Sequence, residues 1–375
     1  MKRAGIGALF LCLICAAASR AQDLVFEPAP ASSGASRAVL LDVARAGDRL
    51  VAVGSAGLVS LSDDGGASWR QASVPVSATL TAVHFPTSTD GWAVGHAGVI
   101  LHSADAGETW ALQFDGRRAN EALVAYAASQ RETLEAELAL LEADDSASEE
   151  ARGDLEYALE DAIFLEEDAQ VAVETGPADP LLTVRFLDAE RGFAAGAYGA
   201  FLRTVDGGVT WELALAGLDN PDRFHFYSVL PANDGALYLA GEAGLLYRST
   251  DQGLTFERYW DVYEGSLFGL VEGGEGVVAF GLRGNLFRYV AALDVWEPLA
   301  SENEASLYGG TRRADGTTIF VGAGGRVVTR TGEGAEAITS HPSRSTLSSA
   351  LVTAQEKLLL VGMDGLLEQQ GAPGS

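Results

Sequence analysis

Leu50-Val51-Ala52-Val53-Gly54-Ser55-Ala56-Gly57-Leu58-Val59-Ser60-Leu61 holds two short apolar runs separated by a glycine pair. That is the pattern of a tight turn between two buried strands. Glycine suits such a turn because it accepts positive φ without a Cβ clash. The same grammar recurs at Gly95/Gly98, Gly196/Gly199, Gly241/Gly244, Gly281/Gly284, Gly322/Gly325 and Gly362/Gly365. Successive first glycines are 41, 101, 45, 40, 41 and 40 residues apart. A period near 41 marks a repeat architecture, and the one long step holds an insertion.

A second motif keeps the same phase. Ser62-x-Asp64-x-Gly66-x-Ser68-Trp69 is matched by Ser103-x-Asp105-x-Gly107-x-Thr109-Trp110. Thr204-x-Asp206-x-Gly208-x-Thr210-Trp211 and Ser249-x-Asp251-x-Gly253-x-Thr255-Phe256 repeat it. A carboxylate in such a turn accepts backbone N–H bonds, and the aromatic packs inward. This resembles the Asp box of the bacterial neuraminidase repeat family. The last three units lack it, although Trp296 keeps the aromatic.

Seven units predict an all-β fold, a seven-bladed β-propeller with an inserted α-helical hairpin. After Gly365 only a short run and a Gly/Pro tail remain, so the seventh unit lacks an outer strand. Phe26-Glu27-Pro28 resembles the outer strand Trp296-Glu297-Pro298, and the expectation is that the amino-terminal segment closes the ring there. The expected division is 1–21 signal peptide, 22–118 closing strand with blades one and two, 119–175 hairpin and 176–375 blades three to seven. Without leader and insertion, each blade has about 42 residues, inside the usual range.

Within the insertion, Leu123, Ala127, Leu134, Leu138 and Leu141 fall at helical spacing, as do Leu155, Leu159, Ile163 and, less regularly, Leu165. Asp144-Asp145-Ser146-Ala147-Ser148 reads as a turn ending in a helix N-cap. Residues 119–175 hold 17 acids and two bases, Arg131 and Arg152. Outer-to-inner connections share a rim with the glycine-pair turns, so the hairpin is expected on that rim, opposite the Asp boxes. It is either a passive insertion or an arm for a protein partner, with Leu134, Leu138 and Leu141 as candidate contacts.

Lys2 and Arg3 precede the apolar run Ala4–Ala18, and Ser19-Arg20-Ala21 offers a cleavage site. This reads as a secretory leader, implying export to the periplasm or medium. Cys12 and Cys15 both lie in it, so the mature chain has no disulfide, thiolate metal site or cysteine nucleophile. Loss of Lys2, Arg3 and Arg20 takes the net charge from −27 to −30. Such a surface repels phosphate backbones and anionic lipid, which argues against nucleic-acid binding, and no later segment is apolar enough for membrane insertion.

Two blades share a longer phrase. Phe85, five residues, then Gly91-Trp92-Ala93-Val94-Gly95 is echoed by Phe186, five residues, then Gly192-Phe193-Ala194-Ala195-Gly196. With Leu202-Arg203-Thr204-x-Asp206-Gly207-Gly208-x-Thr210-Trp211 this resembles the photosystem II stability and assembly factor-like propellers. The resemblance implies a non-catalytic fold without cofactor that helps assemble a membrane complex, here as a non-photosynthetic bacterial relative bound to a membrane-associated or periplasmic protein. The family is noted for a basic patch, and Arg203, Arg248 and Arg288 recur four positions after the second glycine. They could fork onto a partner's carboxylates or pair with nearby acids inside the ring.

An exo-acting, sialidase-like glycoside hydrolase or a glycan-binding propeller is the rival reading. Arg-Ile-Pro is absent, and seven units disagree with the six blades usual in that family. No tyrosine–carboxylate pair is marked out by spacing. His84, His96, His102, His225 and His341 show no metal-ligand spacing. The expectation is a scaffold without catalytic, cofactor or metal residues.

Overall fold

The computed structural model describes residues 26–32, 34–144, 146–177, 179–215, 217–274 and 276–368. The leader reading of residues 1–21 lies outside them. The architecture is a ring of seven antiparallel sheets, six four-stranded and the last three-stranded among the described residues. The inner strands are Leu40–Ala46, Leu80–His84, Leu181–Phe186, Phe226–Pro231, Leu267–Gly273, Leu307–Arg312 and Leu347–Val352. Each pairs with a strand ending in the first glycine of its repeat, and most of those second strands are buried throughout. A buried central strand reads as a continuous apolar run rather than an alternating one, which is why the motif stands out.

The two glycines do different work. In the first turn Ala56 and Gly57 both have positive φ, 54° and 71°, the conformation expected for the second glycine. Gly54 itself is extended. A Cβ there would lie 2.1 Å from the Val39 carbonyl oxygen, which accepts the Ser55 N–H at 3.0 Å. The same backbone approach recurs at all seven first glycines, from Gly95 against Thr79 to Gly362 against Thr346. The first glycine therefore lets the end of strand two abut the entry to strand one. The longer phrase has a similar cause. The Phe85 ring covers Gly91 and the Phe186 ring covers Gly192, each where a Cβ would stand.

The four acidic turns are built alike. In the first, Asp64 Oδ1 accepts from Ser62 Oγ at 2.8 Å and Ser68 N at 2.9 Å, while Oδ2 accepts from Ser68 Oγ at 2.5 Å. Trp69 Nε1 donates to Gly66 O at 2.9 Å. Asp105, Asp206 and Asp251 repeat the carboxylate pattern. Trp110 and Trp211 meet Phe85 and Phe186 edge-on, and Phe256 meets Phe201 in the same way. The Ser68 hydroxyl and N–H bonds hold Asp64 down to about 2. A folded-state value below the unfolded one stabilises above pH ~4, and that support is lost as pH falls through about 2. Asp64→Asn is thus expected to lower the unfolding midpoint at pH 5 and to flatten its fall between pH 4 and 2. Parallel curves for the two proteins would refute this.

The ring closes differently from expectation. Phe26–Ser32 does not complete blade seven but runs along blade one. Ala29 N donates to Val74 O at 3.0 Å and Ser32 N to Gln71 Oε1 at 2.8 Å. Phe26 packs against the core shared by blades one and two. Pro28 and Pro30 leave one N–H between them, so the segment cannot donate a continuous ladder. Closure comes instead from face-to-face packing of blades one and seven, with Leu40, Leu50, Leu58, Leu359 and Val361 in one core. Ser348 Oγ donates to Leu40 O and Ser349 Oγ to Asp42 Oδ1, both at 2.8 Å. Asp42 Oδ2 also accepts Val83 N at 3.0 Å, so one carboxylate spans blades seven, one and two.

Candidate functional site

The insertion is two antiparallel helices, α1 (Gly116–Glu142) and α2 (Glu149–Thr175). At 27 residues each, they extend about 40 Å at 1.5 Å per residue. Asp115 caps α1 by accepting from Arg117 N and Arg118 N, and Ser148 caps α2 by accepting from Ala151 N. The expected start at Ala119 is three residues late. A glycine in the first turn is a poor helix signal, yet Gly116 is required there. A Cβ on it would lie 2.6 Å from Pro177 Cβ and 2.8 Å from Ala97 O. Buried Ala127, Ala162 and Ala169 mark the hairpin's interior, with Arg131 bridging Glu135 and Glu166 at 2.8 and 2.7 Å.

The hairpin overhangs the glycine-turn rim of blades two and three and the connection into blade four, and encloses a cleft of about 880 Å³. Its roof includes Leu123, Tyr126 and Leu134 from α1 with Asp161, Phe164 and Leu165 from α2. Its floor includes Tyr198, Leu215, Leu218 and Pro221. Phe164 is 70% exposed and Tyr198 53% exposed, so two aromatic rings face solvent here. A tether holds the arm down: Arg223 Nη1 pairs with Asp168 Oδ2 at 2.9 Å, and Arg223 Nε donates to Tyr198 O at 3.4 Å. Burial lifts the Asp179 carboxyl on the floor above the usual carboxylate range, against the pull of Arg223. Burial also raises the Tyr126 hydroxyl.

From Tyr198 a row of rings follows the inner rim of the propeller. Tyr198–His225, His225–Tyr227, Tyr227–Phe268 and Phe268–Tyr308 centroids are 5.0, 6.2, 5.3 and 5.2 Å apart. Tyr227, Phe268 and Tyr308 each occupy the irregular step where the inner strand slips register against its neighbour. Sequence reasoning passed over this row. Its signal is an apolar–aromatic–small triplet opening three successive inner strands: Phe226-Tyr227-Ser228, Leu267-Phe268-Gly269 and Leu307-Tyr308-Gly309.

Of the expected contact residues, the cleft gathers Leu134. Leu138 and Leu141 are half-buried further along the arm, beyond the cleft. The arginines are elsewhere, on the third strands of blades three to five and near the acidic-turn rim. Arg203 faces Glu212 across its ladder. Arg248 Nε donates to the Tyr238 hydroxyl at 3.2 Å, with its guanidinium 5.3 Å from the Tyr289 ring centroid. Arg288 pairs with Glu297 at 3.3 Å. The last two are engaged within the ring, and none lines the cleft. Among the described residues no acidic, histidine or cysteine cluster could hold a metal ion, and no helix is long and apolar enough to cross a membrane.

Residues 35–138 and 165–348 match the family described as Photosynthesis system II assembly factor YCF48. No curated protein matches by sequence. Among solved structures, YCF48 bound to D1 peptide aligns with TM-score 0.59 at 14% identity, covering 88% of this chain and 91% of its own. YCF48 from Cyanidioschyzon merolae aligns with TM-score 0.58 at 14% identity over 91% and 97%. The WD40 propeller domain of Doa1 aligns with TM-score 0.58 at 11% identity over 92% and 94%. At these identities the likeness is one of fold.

Proposed function

Given that the chain belongs to the photosynthesis system II assembly factor family, we propose that it is an exported, non-catalytic scaffold that seats a segment of a membrane-associated or periplasmic protein beneath its helical arm. The observation that carries this reading is the cleft. A rigid ring supplies the floor, a tethered hairpin supplies the roof, and exposed aromatic and half-buried aliphatic side chains line the space between. Exposed apolar area of that kind marks interaction sites on otherwise polar proteins. A YCF48 structure with a D1 peptide bound shows that a propeller of the family takes a protein ligand. Export rests on the leader-like start Lys2–Ala21.

A photo-crosslinking residue at position 164, compared with one at exposed Tyr157 outside the cleft, tests the proposal in the native host. The expected result is a discrete protein adduct from position 164 at least tenfold stronger than from position 157. Two results would overturn the reading: equal adducts from both positions, or turnover of fluorogenic glycosides abolished by a single carboxylate substitution.

A further inference from the structure

We infer that the occupant of the cleft is a cationic amphipathic helix of about 15 residues, an inference that rests on the scaffold reading and assigns its ligand a chemistry. The helix follows from the walls. They are two helices, a set of turns and a few strand residues, and the outer edge strand among them, Glu212–Leu213, is two residues long, too short to pair with an extended segment. An extended segment entering there would leave its N–H and C=O groups without partners, whereas a helix satisfies its own. The roof runs from Ala119 to Leu134 along α1, roughly 23 Å at 1.5 Å per residue, which sets the length. Leu123, Leu134, Leu165, Leu215 and Leu218 offer the apolar surface that helix-in-groove binding uses.

The positive charge follows from complementarity. Asp161, Asp179 and Asp219 line the cleft, and its one lining cation, Arg223, is already paired with Asp168. The arm above adds an acidic field, with 17 acids against four bases in residues 116–175. Phe164 and Tyr198 are exposed within the same lining as these carboxylates, and aromatic rings attract ammonium and guanidinium groups. Carboxylates and rings therefore select the same side chains, lysine and arginine, flanking an aliphatic stripe. An acidic or neutral helix would fill the same volume against repulsion or without attraction.

The test uses the mature chain and two labelled 16-residue peptides of identical helical pattern, one of leucine and lysine, the other of leucine and glutamate. Fluorescence anisotropy is expected to show the lysine peptide binding at least tenfold tighter, with affinity falling as salt rises. Asp161→Lys with Asp219→Lys is expected to weaken it at least tenfold. The same charge change at exposed Glu304 and Glu333, on the ring outside both cleft and arm, is expected to alter it less than twofold. Equal weakening by both pairs would mean adsorption to general negative charge, and equal binding of both peptides would mean no charge selection. Either overturns the inference. Preferential binding of the glutamate peptide, lost in Phe164→Ala, would overturn the assigned chemistry while leaving a protein-docking cleft in place.

Discussion

A chain lacking Arg117–Thr175, with Gly116 joined to Gly176 through two glycines, is expected to fold into the same ring and to lose binding of the lysine peptide by at least tenfold. The join is short because the arm leaves and returns at one point. Gly116 is so close to Pro177 that no side chain fits between them. The ring gives up little, since among the described residues Ala119 is the hairpin residue that packs against a propeller core. Circular dichroism dominated by strand signal and an unfolding midpoint within a few degrees of the parent would establish folding. Aggregation of the shortened chain would instead show that the arm supports blades two and three. Retained binding by a folded ring would place the docking surface elsewhere.

Trp92→Ala is expected to be the most damaging single substitution. Trp92 is 1% exposed and lies between blades, stacked on Phe186 at a centroid distance of 3.6 Å. Its Nε1 donates to Gln113 Oε1 at 3.0 Å, and Gln113 Nε2 donates on to Gly207 O at 3.1 Å. Truncation removes the stack, opens a cavity and leaves the amide oxygen without that donor. Aromatic-to-alanine changes in cores cost about 3–5 kcal/mol. At roughly 2–4 °C per kcal/mol for domains of a couple of hundred residues, the midpoint should fall on the order of 10 °C. Trp92→Phe keeps the stack and should recover most of it. Calorimetry showing a fall of under 3 °C for the alanine variant would contradict this account of the interface.

The ring was legible because its chemistry is local and repeated. Seven glycine pairs survive since each first glycine meets a carbonyl that admits no side chain. The Phe85/Gly91 and Phe186/Gly192 phrases read through for the same steric reason. The amino-terminal route was not legible. A three-residue likeness between Phe26-Glu27-Pro28 and Trp296-Glu297-Pro298 carries no register, and either of two blade edges could receive it. The cleft was only half legible. Helical spacing placed Leu134 on the arm, but Tyr198, Leu215 and Leu218 join it through the angle at which the hairpin leans, which no periodicity encodes. The rim aromatics were hidden because a register slip, not strand alternation, decides where Tyr227, Phe268 and Tyr308 stand.

Closure by Ser348 and Ser349 on Leu40 and Asp42 joins positions 308 and 307 residues apart. A nascent chain therefore remains an open horseshoe until its final blade emerges. Its first blade waits all that time with an apolar flank bare, the condition that draws chaperones and invites misassociation. Folding to a finished circle is thus a last event in synthesis, and a truncation that removes the seventh blade would leave every earlier one without its terminal lock.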